Sequence, residues 1–188
     1  MTADDAVVAV LDALDAAGMP YMIVGSLASN FHGIPRSTRD ADFVVELPPG
    51  SLARFAAVLR PDLTLHPQGS FETVTGTTRY LVELAGSPFV CELFVRSDDA
   101  HDRERFVRRQ RVRVLERIAF VATAEDMIVT KLRWADAAHR SKDIDDIRNI
   151  VAVRGPELEW AYVSRWSVEH GTARLLEDIR GSIPPADA

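Results

Sequence analysis

The sequence predicts a mixed α/β fold: a sheet domain with flanking helices over residues 1–122, and a helical subdomain packed on it over residues 123–188. Short apolar runs bounded by Gly and Pro predict strands in the first two thirds of the chain. Apolar residues at helical spacing predict helices, which follow one another without intervening strands after residue 123. The chain has 188 residues, of which 47% are hydrophobic, so it has enough apolar material for a core.

The N-terminal part predicts helices and short strands in alternation. Gly18 and Pro20 end the first helix, and Gly33 and Pro35 end the second. We expect helices at about 4–17, 27–32 and 51–59, and strands at 21–25 and 41–46.

The middle of the chain is rich in β-branched and aromatic residues and is divided by Gly76, Gly86 and Pro88. It predicts strands at 71–75, 79–84 and 89–95, a polar helix at 98–109, and two short strands at about 111–115 and 118–121. Beyond it we expect helices at about 124–138, 142–153, 157–169 and 172–179. Thr123 and Ser141 are the expected N-caps of the first two of these helices.

Charge and cysteine content exclude several classes of protein. The formal net charge is −6, which disfavours a surface built as a whole for nucleic acid but permits a local basic patch. The single cysteine, Cys91, cannot form an internal disulfide and fits a reducing compartment. The N-terminus is acidic where a signal peptide would be basic, and no apolar run approaches the ~18 residues of a membrane span. We therefore expect a soluble cytoplasmic protein with no membrane partner.

A glycine turn and a pair of acids are the first candidate functional residues in this sequence. Gly25 and Ser26 follow a buried strand and open a helix, an arrangement that lets backbone N–H groups approach phosphate oxygens. Asp40 and Asp42 open the next strand and face the same side, so both can hold a divalent cation. The alternative is a solvent-facing acidic strand start that is paired with Arg36 and Arg39.

A third carboxylate, Glu92, interrupts the apolar run 89–95. An acid inside a hydrophobic strand is costly unless it is paired, bound to metal or located at an edge. Beside Asp40 and Asp42 it would complete a triad able to bind two Mg²⁺ ions and to take a proton from an attacking hydroxyl. The alternative is an edge-strand acid that hinders aggregation.

These residues, in this order, resemble the nucleotidyltransferase superfamily, which has the polymerase-beta-like fold. The C-terminal segments 124–133, 140–147 and 158–166 are similar to those of the AbiEii group, which includes the MenT-type toxins of bacterial toxin–antitoxin pairs. The resemblance covers about residues 20–170.

The resemblance implies metal-dependent transfer of a nucleoside monophosphate from an NTP to a hydroxyl, with release of pyrophosphate. It implies Mg²⁺ or Mn²⁺ at Asp40 and Asp42, and Glu92 is the matching third acid. The positions expected beside the nucleotide are Gly25, Ser26, Arg39, Lys131 and Asp143.

Lys131 matches the helix lysine that contacts nucleotide phosphates, and Asp146, with Asp143 as the second choice, matches the acid on the following helix. Only two of the 22 basic residues are lysines, Lys131 and Lys142, and both fall in the C-terminal segments. The alternative for Lys131 is a side chain whose stem covers apolar surface at the margin of a helix.

Three hypotheses remain for the biological role. The first is a toxin that modifies RNA, at the tRNA 3′ end, and binds its acceptor through the arginine strip, the seven arginines between Arg103 and Arg117. The strip could instead dock an acidic antitoxin, or be a solvated face. The second is the same chemistry on a small molecule such as an antibiotic. The third is a catalytically silent module that binds a nucleotide or a partner.

Overall fold

The structure is a computed structural model that describes residues 1–73 and 76–183. Its described strands form a single mixed sheet of eight members. They are β1 (Tyr21–Val24), β2 (Asp40–Val45), β3 (Leu63–Leu65), β4 (Ser70–Glu72), β5 (Thr77–Leu84), β6 (Val90–Val95), β7 (Gln110–Val114) and β8 (Arg117–Val121).

Helices precede, interrupt and follow these strands. They are α1 (Ala3–Ala17), α2 (Gly25–His32), α3 (Ser51–Val58), α4 (Ala100–Arg108), α5 (Ala124–Ala138), α6 (Ser141–Arg154), α7 (Trp160–Glu169) and α8 (Ala173–Gly181). A short 3₁₀ turn, Gly155–Glu157, separates α6 from α7. The predicted mixed α/β class is confirmed.

The sheet has the strand order β3-β5-β6-β2-β1-β8-β7, and β4 also pairs with β5. β2 runs antiparallel to β1 and parallel to β6, and β1 runs parallel to β8. The remaining pairs are antiparallel. The strand β2, which carries both acids, therefore lies in the interior of the sheet.

One face of the central strands supplies the core of this sheet. Phe43 of β2 and Leu93 of β6 are paired in register and fully buried. Cys91, two residues before Leu93, lies on the same face and is 1% exposed. Burial, with a smaller contribution from the charge of Asp42, raises the pKa of the Cys91 thiol to about 12. The other face of β2 and β6 carries the three acids, Asp40, Asp42 and Glu92, together with apolar residues such as the buried Val44.

The chain divides into two compact units, each of which has dense internal contacts. The first comprises Met1–Leu27 and Ser37–Val121, and the second Ala28–Arg36 and Ala122–Ala188, of which 184–188 lie outside the described residues. The segment Ala28–Arg36 thus belongs with the C-terminal helices, although it is remote from them in sequence. The predicted boundary between domains at 122/123 stays a prediction.

In the second unit, α5 packs on α6 and α7, and α8 packs on all three. Ile128, Leu132, Ile147 and Ile150 are fully buried in this unit. His32, at the end of α2, is also buried, and its Nε2 donates to the carbonyl oxygen of Ala122 at 2.7 Å. This hydrogen bond fixes the chain just before α5 begins.

Most of the helix and strand predictions are confirmed. The exceptions are one N-cap, one short strand and the start of one helix. Thr123 is confirmed as the N-cap of α5, since its side chain accepts from the Asp126 N–H. Ser141 as a cap is wrong, because α6 begins at Ser141 and Arg140 occupies the N-cap position. The strand β3 was not predicted, and the helix predicted at 157–169 begins only at Trp160 because the 3₁₀ turn precedes it. Of the strand predicted at 71–75, residues 74 and 75 lie outside the described residues.

No helix within residues 1–73 and 76–183 combines the length and the apolar character that crossing a membrane requires.

Candidate active site

Three acids share one face of the first unit's sheet. Asp40 and Asp42 lie two residues apart on β2, so their side chains project to the same side. Glu92 of β6 is directly opposite Asp42 in the parallel β2–β6 ladder. The structure therefore brings together the three carboxylates that the sequence singled out.

The edge-strand alternative for Glu92 is wrong. β6 lies between β5 and β2, so it is hydrogen-bonded on both sides. The side chain of Glu92 is 20% exposed, which places the carboxylate at the surface of an interior strand. An acid at such a position needs a charge partner.

That partner is Arg79 of β5. Its Nη1 lies 3.2 Å from Oε1 and 3.4 Å from Oε2 of Glu92. Arg79 is in register with Phe94, so it is a diagonal neighbour of Glu92 on the same face. Sequence reasoning missed Arg79, because only the strand register identifies this one arginine among 20 as the partner.

Gly25 brings the backbone against Asp42. Its φ is +61°, in the left-handed region, and a Cβ atom built on it would lie 1.8 Å from Asp42 Oδ2. Any side chain would therefore displace the carboxylate. Ser26, the next residue, is buried in the first turn of α2. The β1–α2 turn thus lies directly beside Asp42, and the predicted contact of Gly25 and Ser26 with a phosphate stays a prediction.

Thr38 orients the other acid. Its hydroxyl lies 2.6 Å from Asp40 Oδ1 and 3.2 Å from the Asp40 carbonyl oxygen, both of which are acceptors. Arg39, which the sequence also placed at the site, is exposed just before β2, and its carbonyl oxygen accepts from the Val90 N–H at 3.3 Å. Arg36, which the sequence offered as a partner of the acid pair, forms an ion pair with Asp146 in the second unit.

The acid pair fits a hard divalent cation. Carboxylate oxygens are the ligands that Mg²⁺ and Mn²⁺ prefer. The glycine at position 25 preserves space at the Asp42 carboxylate that any other residue would fill. Asp40 and Asp42 are therefore the residues that would hold the metal.

The second unit contains a buried ionic cluster around Lys131. Lys131 Nζ lies 2.9 Å from Asp143 Oδ1 and 2.7 Å from Asp146 Oδ2. All three residues are at least 95% buried. Asp143 and Asp146, which the sequence offered as alternatives, both contact the lysine.

Two arginines flank this cluster. Arg36 donates to Asp146 through Nε at 2.7 Å and Nη2 at 2.9 Å, and Arg140 Nε lies 3.2 Å from Asp143 Oδ2. Burial opposes ionisation of Asp146, but hydrogen bonds from Arg36 and Lys131, together with their charges, outweigh it and lower the pKa of this carboxyl. Both acids of the cluster are thus matched by cations.

The arginine strip is not one continuous surface. Arg105 is buried and pairs with Asp102 at 2.7 Å, and Arg117 pairs with Asp12 and Asp15 of α1. The guanidinium of Arg109 lies over the rings of Phe106 and Phe120. The exposed members are Arg103, Arg111 and Arg113.

Comparison with solved structures identifies the fold of the chain. No protein-family model and no curated protein matches the chain. A solution structure of the antibiotic-resistance factor ANT(2″)-Ia aligns with a TM-score of 0.62 over 95% of this chain and 96% of that chain, at 13% identity. The chain has the nucleotidyltransferase fold. A crystal structure of ANT(2″)-Ia in complex with adenylyl-2″-tobramycin shows the same fold, with a TM-score of 0.57, 15% identity and coverage of 90% and 99%.

Proposed function

We propose that the protein is a divalent-metal-dependent nucleotidyltransferase, which moves a nucleoside monophosphate from an NTP to an acceptor hydroxyl and releases pyrophosphate. The observation that carries this proposal is the Asp40–Asp42 pair with Gly25 against Asp42. The nucleotidyltransferase fold is consistent with it.

In this proposal each part of the site has a separate task. The backbone N–H groups in the first turn of α2, after Gly25, donate hydrogen bonds to phosphate oxygens of the NTP. Asp40 and Asp42 hold Mg²⁺ or Mn²⁺, and Thr38 keeps the Asp40 carboxylate in one orientation. The cation, when bound, neutralises charge on the phosphate oxygens.

The transfer itself is an in-line displacement. The acceptor oxygen forms a bond to the α-phosphorus, and its proton passes to the carboxylate of Glu92. The bond between the α-phosphorus and the bridging oxygen breaks, and that oxygen leaves with its electron pair as part of pyrophosphate. Positioning and charge stabilisation supply most of the rate enhancement.

Lys131 has a supporting task in the proposal. An ammonium has three donors, and two point at Asp143 and Asp146. We propose that Asp143 and Asp146 orient this ammonium for the phosphate contact that the family resemblance implies.

The acceptor that we favour is RNA, at the tRNA 3′ end, which would make the protein a toxin of a toxin–antitoxin pair. The exposed arginines Arg103, Arg111 and Arg113 would contact its phosphates. The same three residues would be available to an acidic antitoxin.

A small hydroxyl compound such as an antibiotic is the second candidate acceptor. The internal ion pairs of Arg105 and Arg117 leave less cationic surface for RNA than the sequence suggested. The alignment with ANT(2″)-Ia, which the crystal structure shows bound to adenylyl-2″-tobramycin, spans nearly all of both chains.

The test is transfer of label from each α-³²P NTP, with Mg²⁺ and either total tRNA or tobramycin. We expect transfer with the wild type and a loss of about 100-fold or more in Asp40→Asn and Asp42→Asn. Asp98→Asn is the matched control, because the side chain of Asp98 is 93% exposed and lies outside the acid pair. Equal activity of all four proteins would contradict the proposed site.

The acceptor arms separate the three roles. Label on tRNA supports the toxin, and we then expect the triple variant R103Q/R111Q/R113Q to raise the KM for tRNA. Label on tobramycin alone supports the small-molecule enzyme. NTP binding with no release of pyrophosphate under any condition would leave the silent module.

A further inference from the structure

The ion pair between Arg79 and Glu92 has a consequence for the site. We propose that Arg79 is a positioning residue that holds the Glu92 carboxylate toward β5, so that Glu92 serves as proton acceptor and is not a metal ligand. This inference rests on the proposed function, and it assigns to Glu92, the third acid of the site, the task of accepting the proton.

The strand register creates the need for such a residue. Asp42 and Glu92 are directly opposite on neighbouring strands, which lie about 4.8 Å apart. Like charges at directly opposed positions repel. A cation on the β5 side relieves this repulsion and draws Glu92 away from Asp42.

The geometry of the pair fits this task. Nη1 of Arg79 lies at nearly equal distances, 3.2 Å and 3.4 Å, from the two oxygens of Glu92, so both oxygens are turned toward β5. Nε of the same guanidinium lies 3.4 Å from Ser70 Oγ on β4. Arg79 is thus held from β4 while it holds Glu92.

The charges on the sheet face are consistent with two roles for three acids. Arg79 compensates the charge of Glu92, and the carboxylates of Asp40 and Asp42 carry two negative charges, which match the charge of one divalent cation. The side chain of Glu92 is 20% exposed, so an acceptor hydroxyl can reach it. One oxygen of Glu92 can therefore take the proton while the other still accepts a hydrogen bond from Arg79, and the ion pair re-forms when the proton leaves.

Mn²⁺ binding measured by electron paramagnetic resonance, without nucleotide, tests the assignment. We expect Glu92→Gln to bind Mn²⁺ within about twofold of wild type and Asp42→Asn to bind at least about tenfold more weakly. Arg79→Gln removes the cation that draws Glu92 toward β5 and so lets Glu92 approach the metal, and we expect this variant to bind Mn²⁺ about five- to tenfold more tightly. The double variant R79Q/E92Q should return to the wild-type affinity. Weakening by about tenfold in Glu92→Gln would make Glu92 a ligand and overturn the proposal.

Steady-state kinetics provides a second readout. We expect Arg79→Gln to lower kcat by about tenfold or more with KM for NTP and acceptor unchanged, and Arg79→Lys to recover part of the loss. The Arg79→Gln change should have no further effect on kcat in the Glu92→Gln background. A raised KM for acceptor at unchanged kcat would mean that Arg79 contacts substrate, which overturns the positioning role.

The two proposals fail in different ways. If Asp42→Asn binds Mn²⁺ as tightly as wild type, the proposed function loses its metal site. If Asp42→Asn behaves as expected but Glu92→Gln also loses the metal, only the role of Arg79 and Glu92 is wrong. Melting temperatures of Arg79→Gln and Arg79→Lys identify any loss that comes from unfolding.

Discussion

Gly25 leaves no room for a side chain beside Asp42. It combines a left-handed φ with a backbone that lies against the Asp42 carboxylate. We expect Gly25→Ala to displace Asp42 and so to weaken Mn²⁺ binding and nucleotidyl transfer by about 100-fold, since a small misplacement at a reacting centre is costly. Metal titration and label transfer measure the two effects.

Gly18→Ala is the matched control for this prediction. Gly18 has a similar φ, +64°, but a Cβ there would meet no atom within 4 Å. The substitution should cost about 1–2 kcal/mol of stability from backbone strain and leave Mn²⁺ affinity unchanged. Equal Mn²⁺ affinity of the two variants would mean that the close approach of Gly25 has no functional value.

Lys131 illustrates the cost of an uncompensated buried charge. Lys131→Met removes the cation that Asp143 and Asp146 share inside the second unit. We expect the free energy of unfolding in urea to fall by about 3–5 kcal/mol, because the acids stay buried with fewer partners. Lys142→Met is the control, since Lys142 is exposed on α6, and its effect should be within about 0.5 kcal/mol. Similar losses in both variants would contradict the cluster.

At the scale of elements, His32 links the end of α2 to the start of α5. Burial lowers the pKa of His32, although the hydrogen bond to Ala122 acts in the opposite direction. Nδ1 is buried and has no hydrogen-bond partner among the described residues, so a second proton there would be unsatisfied. The folded protein therefore keeps this imidazole neutral.

The sign of the resulting pH effect follows from the lowered pKa. The unfolded chain takes up the proton near pH 6.5, above the pKa in the folded state, so stability is lost as the pH falls below about 6.5. We expect the melting temperature of wild type to fall more between pH 7.5 and 5.5 than that of His32→Gln, in which the amide can still donate to Ala122. Parallel pH profiles would exclude a contribution from His32.

Most elements could be predicted because their signals are local. Thr123 is followed three residues later by Asp126, and Gly18 closes α1 as a left-handed C-cap, so short-range pattern determines both ends. β3 has only three residues, and its pairing with β5 rather than its own sequence makes it a strand. Ser141 is not the N-cap because α6 begins one residue earlier than predicted. Ser141 is therefore the first residue of the helix, and Arg140 occupies the N-cap position.

The same distinction applies to the site. The Gly-Ser turn and the Asp-x-Asp strand are each local, and their positions in the fold could be predicted from spacing alone. Arg79 with Glu92, and Arg36 with Asp146, are partners across 13 and 110 residues, and nothing in the sequence specifies those pairs. The sequence thus singled out the acids that the structure brings together, but not the arginines that pair with them.

At the scale of the whole molecule, metal binding should stabilise the fold. A ligand that binds only the folded state at 100 times its Kd adds about 2.7 kcal/mol. For a chain of this length we expect Mn²⁺ to raise the melting temperature by about 5–10 °C. The shift should be reversed by EDTA and absent in the double variant D40N/D42N, and an equal shift in that variant would place the metal elsewhere.

Because Cys91 is buried, its reaction with an alkylating reagent can measure how often the sheet opens. The only sulfhydryl of the molecule lies in the interior of the sheet, with a pKa of about 12, so alkylating reagents can reach it only when the strands separate. The rate of alkylation therefore reports the opening of β6 directly, without any label. A cysteine introduced at an exposed position such as Asp98 would, for the same reason, be the one site that a fluorophore modifies in the folded protein.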